Sequence, residues 1–183
     1  VGQYAVSLTV TDDQGSQASH QKSLVVLGET TVSVGFQDGV SPSPAYAGTS
    51  DTKMSVDDQT SNFGSVDNME VDGSPALGVL LRWDISDVPA GVTVLSASIS
   101  LSMVDSSPDT YEVYGLLRPW NEQEASWLNA TATTPWAKAG ADGLADHGDD
   151  VVGLIHSQYT GRRTFQLNEN GIALVRNWIN QAE

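Results

Sequence analysis

The stretch Val94-Leu95-Ser96-Ala97-Ser98-Ile99-Ser100-Leu101-Ser102-Met103 decides the fold class. From Leu95 onward an apolar residue stands at every second position, and serines fill the gaps. Successive side chains of an extended strand point to opposite faces, so this period predicts a strand with Leu95, Ala97, Ile99, Leu101 and Met103 inward and the serines outward. The same reading extends to both sides. Gly78-Val79-Leu80-Leu81-Arg82-Trp83-Asp84 is a nearly continuous apolar run bounded by turns, which suits a central strand. Thr31 to Phe36, Tyr111 to Leu117 and Thr164 to Leu167 read as further strands. Only Gly171 to Gln181 reads as a helix, with Ile172, Val175 and Trp178 or Ile179 at helical spacing and Asn168 or Asn170 as its N-cap.

At the front of the chain, Tyr4, Val6, Leu8 and Val10 alternate, Asp12-Asp13-Gln14-Gly15 forms a turn, and Lys22 to Leu27 returns as a second strand. Gly28-Glu29-Thr30 is a junction, which divides the chain into residues 1–27 and 28–183. Many short strands, long polar loops and one short helix predict an all-β protein: an antiparallel jelly-roll β-sandwich with one C-terminal helix, preceded by a β-hairpin.

Composition bounds the function. In 183 residues there is no cysteine, which excludes disulfides, thiol nucleophiles and cysteine-ligated metal. Eight basic residues against 23 acidic ones give a net charge of −15, which repels phosphate backbones and argues against a nucleic-acid partner. No apolar run approaches the roughly 20 residues of a membrane helix, so membrane insertion is not expected. A turn-rich, Asp-rich, Lys-poor chain suits salty or calcium-bearing water outside the cell, and an extracellular location is the expectation.

Two resemblances follow. Gly2-x-Tyr4-x-Val6-x-Leu8-x-Val10-x-Asp12-x-x-Gly15 resembles the last two strands of PKD-type immunoglobulin-like domains, over residues 1–27. On that resemblance the hairpin is the tail of an upstream module. The second runs in order through Gly78 to Gly91, Val94-x-x-Ala97-x-Ile99-x-Leu101, Val113-Tyr114-x-Leu116-Leu117-x-Pro119-Trp120-Asn121-Glu122, Ala125-Ser126-Trp127-x-Asn129, Trp136 and Gly140-Ala141-x-Gly143. This series resembles the DNRLRE family of jelly-roll modules, which is similar to carbohydrate-binding module family 96, over roughly Val32 to Ile179. The resemblance implies a non-catalytic polysaccharide binder, with alginate-binding members suggesting an acidic or marine-type glycan. It also implies a strand after the Trp178 helix, for which the chain has no residues.

Within that frame, Arg82 and Asp84 lie on one face of a strand and read as a buried hydrogen-bonded strut or, less simply, as ligand contacts. Trp120 and Trp127 have faces able to stack on sugars, but the resemblance places them as core lids. Trp136, in Thr134-Pro135-Trp136-Ala137-Lys138, is expected in a loop as an exposed platform. Arg162 and Arg163, adjacent in the turn Tyr159-Thr160-Gly161-Arg162-Arg163 with His156 upstream, join Lys138 as donors for a carboxylate or sulfate. The expected carbohydrate-binding set is therefore Trp136, Lys138, His156, Tyr159, Arg162 and Arg163.

Asp142, Asp146, Asp149 and Asp150 crowd nine residues with two glycines, a flexible acidic loop suited to a structural calcium ion, although its spacing is not that of an EF-hand. Glu122 and Glu124 have a separation open to glycosidase chemistry, yet nothing nearby would split their pKa values, so no enzymatic activity is expected. Besides polysaccharide, the partners expected are further domains of the same polypeptide or neighbouring copies. The alternative reading is a structural or adhesive extracellular module that assembles by strand exchange through an exposed edge.

Overall fold

The computed structural model describes residues 2–11, 17–26, 30–156 and 158–181. The turn at Asp12 to Gly15, the junction residues Gly28 and Glu29, and the side chains of Tyr4, Val6, Leu8 and Val10 lie outside the described residues. Contacts divide the chain into two units, Val1–Gly35 and Phe36–Glu183, each taken by itself below.

In the first unit, β1 (Gly2–Thr11) and β2 (Gln17–Val26) pair antiparallel in continuous register, from Gly2 opposite Val26 to Thr11 opposite Gln17. The segment Thr31 to Phe36 departs from the expected strand. Residues 31–36 carry no strand pairing, and Val32 and Val34 are 75% and 53% exposed. Alternation favours a strand only where it is taken up in a ladder, and among the described ladders none includes residues 31–36.

The second unit holds β3 (Thr49–Ser55), β4 (Asp72–Gly73), β5 (Ala76–Trp83), β6 (Ser98–Met103), β7 (Thr110–Leu116), β8 (Asn129–Thr131), β9 (Thr134–Pro135), β10 (His147–His156), β11 (Gly161–Gln166) and α1 (Glu169–Gln181). All its ladders are antiparallel: β5 lies between β3 and β4, β6 pairs with β11, β7 with β10, and β8 with β9. The β7–β10 pair is nested inside the β6–β11 pair, the connectivity of a long hairpin folded over on itself. An antiparallel bridge between Gly153 and Leu167 joins the two pairs. The architecture is the all-β sandwich with one short C-terminal helix that the alternation indicates.

The apolar run at 78–84 forms the central strand β5. The serine-rich strand begins at Ser98, later than expected, with Ile99, Leu101 and Met103 half-buried and Leu95 65% exposed ahead of it. The main core gathers Met54 and Leu80 from the inner face of β3 and β5 with Trp120, Ala125, Ala130, Trp136 and Ala141, and Leu116 and Trp127 pack against it. Helix α1 is capped as expected: the Asn168 side chain accepts from the Gly171 amide at 3.0 Å, which satisfies one of the orphan donors of the first turn. Ile179 is buried and its neighbour Trp178 is exposed, since adjacent helical positions cannot share one face.

Candidate functional site

Strands β6 and β11 present one face to solvent. Three cross-strand pairs stand on it, Ser98 opposite Gln166, Ser100 opposite Thr164 and Ser102 opposite Arg162. All six residues are exposed, while Ile99, Leu101, Met103 and Phe165 turn the other way and are half-buried. At a strand rise near 3.3 Å the ladder runs about 13 Å, a flat row of hydroxyl and amide groups ending in a guanidinium. The Ser100 and Thr164 hydroxyls are 2.8 Å apart, which holds the middle of the row in place.

Arg162 and Arg163 therefore lie in β11 and not in a turn. Neighbours in a strand point to opposite faces, so the two guanidinium groups do not form a joint clamp. Arg162 ends the polar row. Arg163 folds back over the ring of Tyr159 at 5.5 Å and donates to the Thr160 carbonyl at 3.1 Å. Tyr159 is 67% exposed. His156 closes β10, with Nδ1 3.0 Å from the Thr110 hydroxyl. Lys138 is held by Asp142 in the loop after β9.

Trp136 is not an exposed platform. It is 5% exposed and belongs to the core, with Nε1 donating to the Ser126 carbonyl at 2.9 Å. Its backbone amide donates to the Leu128 carbonyl at 3.0 Å, which folds the short β8–β9 hairpin over the core and turns the indole inward. A loop assignment fixes the backbone class and says nothing about which way a large ring will bury its area. Trp120 is buried too, and Trp127 packs half-buried beside it, with no room for a Cβ at Gly140 (φ +82°) against its ring.

The acidic loop is also a structural feature at its centre. Asp146 is fully buried, and its Oδ1 accepts from the Ala137 amide at 2.9 Å while Oδ2 accepts from the Lys138 amide at 2.9 Å and the Gly143 amide at 3.2 Å. Arg118 Nε lies 3.0 Å from Oδ1, an ion pair whose alignment falls short of a good hydrogen bond. Three backbone amides and the Arg118 charge thus surround this carboxylate, so in this structure Asp146 serves as the buried hub of its own loop. Asp142 pairs with Lys138, and Asp149 and Asp150 stand exposed at a register shift in β10. Among the described residues no group of three or more His, Asp or Glu side chains converges as a metal site.

A cleft of about 430 Å³ opens between Ala47, Gly48, Ser50, Arg82 and Asp84. Arg82 is not the buried strut expected of it. It is exposed at the end of the inner face of β5, where it donates to Ser50 Oγ at 2.9 Å and to the Trp120 carbonyl at 3.2 Å, and its guanidinium packs 5.4 Å from the Trp120 ring. Asp84 Oδ1 accepts from the Ser86 amide at 2.9 Å. The Ser86 hydroxyl and amide hold the Asp84 carboxyl below its usual range, and the Arg82 charge adds to this.

The two loop glutamates are used as backbone caps. Glu122 Oε1 accepts from the Asp51 amide on the free edge of β3 at 2.7 Å, and Glu124 Oε2 accepts from the Ala132 amide at 2.9 Å. Burial pushes the Asp51 carboxyl up, with Glu122 and Asp38 adding to the shift. A carboxyl raised in the folded state penalises the fold when ionised. That penalty is present above the raised value and disappears as pH falls below the ordinary 3.8. Asp51→Asn is expected to raise the melting temperature near neutral pH, with the gain fading at acid pH; melting curves across pH check this, and a gain that persists in acid contradicts it.

The family model of carbohydrate-binding module family 96 matches residues 44–168. No curated protein matches the chain, and no solved structure does.

Proposed function

The chain belongs to carbohydrate-binding module family 96, and from that premise we propose that it is a non-catalytic, extracellular polysaccharide-binding unit that grips an acidic glycan along the exposed face of β6 and β11. The observation that carries this reading is the row of three polar cross-strand pairs ending in Arg162. Such a row offers donors and acceptors at regular intervals to an extended polymer. Serine, threonine and glutamine present both hydrogen-bonding roles, as sugar hydroxyls do. Burial of this face is not needed by the fold, because Ile99, Leu101, Met103 and Phe165 supply the apolar side of the same strands.

On a molecule of net charge −15, an anionic polymer needs a local exception. Arg162 provides it on the ladder, whereas Arg163 belongs to the opposite face of the strand and packs over the exposed ring of Tyr159. A guanidinium can take a carboxylate or sulfate through paired N–H donors. Joined to other domains, a unit of this kind raises the local concentration of polymer by tethering.

Affinity electrophoresis through gels containing alginate or a neutral glucan tests this directly. The chain is expected to be retarded by alginate, and Arg162→Ala is expected to weaken that interaction about tenfold, the loss of one charge-assisted hydrogen bond. Unretarded migration in both gels, or retardation that Arg162→Ala leaves unchanged, would remove the β6–β11 face as the binding surface.

A further inference from the structure

We propose that the cleft of Ser50, Arg82 and Asp84 is a second glycan subsite, chemically unlike the first, that holds the vicinal diol of an uncharged sugar ring. The inference rests on the carbohydrate-binding reading but uses a different part of the sandwich. Ser50 and Arg82 face each other across the β3–β5 ladder, and Asp84 follows two residues later, on the same side.

The cleft puts a fixed donor beside a fixed acceptor. Arg82 is held by Ser50 Oγ, by the Trp120 carbonyl and by the Trp120 ring, so its rotamer freedom is already spent. Two of the five N–H groups of a guanidinium are committed to those partners, and the others are left for a ligand. Asp84 accepts at Oδ1 from the Ser86 amide, and Ser86 holds its carboxyl low, so it presents an ionised acceptor to the cleft. Ordering such groups in advance lowers what binding must overcome.

A vicinal diol matches this pair. One hydroxyl accepts from Arg82 while its neighbour donates to Asp84, and each keeps its second role for the Ser50 hydroxyl or water. A carboxylate in the same place would gain Arg82 but meet the charge of Asp84. The mixed-sign cleft therefore favours a neutral ring face, whereas the Arg162 row favours an anionic one.

Gly48 keeps the cleft open. A Cβ there would lie 2.7 Å from Asp84 Cβ and 2.8 Å from the Tyr46 ring and hydroxyl, whose O–H donates to the Asp84 carbonyl at 3.0 Å. The Asp84 amide donates to the Gly48 carbonyl at 2.8 Å, so the wall and the acceptor are one braced piece.

The test is a titration of the ¹⁵N-labelled full chain, followed at the Gly48 amide and the Arg82 Nε–H, with methyl mannoside and, separately, with sodium glucuronate. Methyl mannoside is expected to shift both signals, and Asp84→Asn, which keeps the Ser86 bond through its carbonyl oxygen, is expected to weaken that binding about tenfold. Arg162→Ala should leave the shifts unchanged. Silence of both signals toward methyl mannoside overturns the proposal, as does tighter binding of glucuronate that survives Asp84→Asn. Retardation by alginate with a silent cleft would overturn this subsite alone, and failure of both assays would overturn the polysaccharide reading as well.

Discussion

Asp146→Asn is expected to cost about 3–5 kcal/mol of stability, the range for leaving a buried charge network with one partner removed. At this chain length that corresponds to a fall in melting temperature of roughly 10 °C. The carboxylate gathers the amides of Ala137, Lys138 and Gly143 and the Arg118 side chain around one fully buried group. Asparagine retains one oxygen and sets an NH₂ group against donors that then have no acceptor, while Arg118 loses its counter-charge. The sign of the pH dependence follows. Burial alone would raise the Asp146 carboxyl, but the amides of Ala137 and Lys138, the Arg118 charge and the Gly143 amide outweigh it and lower it below the ordinary 3.8. Its contribution is then present above pH 3.8 and lost as pH falls through the lowered folded value. Melting curves in calcium and in chelator should show the same loss for the variant, because the partners are N–H groups. A loss seen only in calcium would return Asp146 to the metal ligands, and a loss under about 1 kcal/mol would mean the loop has other support.

Gly64→Ala is the second large effect. A Cβ at Gly64 would overlap the Glu122 carbonyl oxygen, with the Glu122 carbonyl carbon at 2.8 Å and Cγ at 3.0 Å. Backbone cannot swing aside as the tip of a flexible side chain can, so we expect a cost of about 3 kcal/mol, at the upper end for overpacking. The displacement would spread along a defined path. The Glu122 carbonyl accepts from Asn62 Nδ2 at 2.7 Å, and the Ala125 carbonyl accepts from the same amide at 2.8 Å, so moving residue 122 loosens the loop that crosses residues 122–125. Glu122 also caps the Asp51 amide, next to Ser50 of the Arg82 cleft. Chemical denaturation reads the stability loss. In the titration proposed above, the same variant should weaken the Gly48 and Arg82 responses to methyl mannoside. Near-native stability for Gly64→Ala would show that the 62–64 loop can lift off without harm.

Local patterns carried much of this structure. The serine alternation from Ser98 to Met103, the apolar run that became central strand β5 and the Asn168 cap of α1 all depend on spacing along the chain, and each formed as the spacing indicates. Where the pattern lacked a partner it misled. Thr31 to Phe36 has the right alternation but lies outside the described ladders, and Leu95 extends the alternation past the point where β11 can follow.

The site was harder to read because orientation and pairing, which decide it, are properties of distant segments. An acidic crowd at 142–150 resembles a cation loop until the fold carries three amides and Arg118 to Asp146. Two adjacent arginines suggest a clamp until the register places them in a strand, and the strand then divides them between its faces. The β6–β11 row had one visible signal, the outward serines, but its other half comes from residues 60 to 68 positions later.

By itself, then, the order of residues determined the class: antiparallel strands, one capped helix, no thiol chemistry and an acidic surface, because periodicity and composition act over a few neighbours. Only the tertiary structure decided which polar groups are free for a ligand. It buried Trp136, engaged Asp146 with backbone amides and exposed Arg82 beside Asp84, since a side chain is available only when no distant part of the fold has already satisfied it.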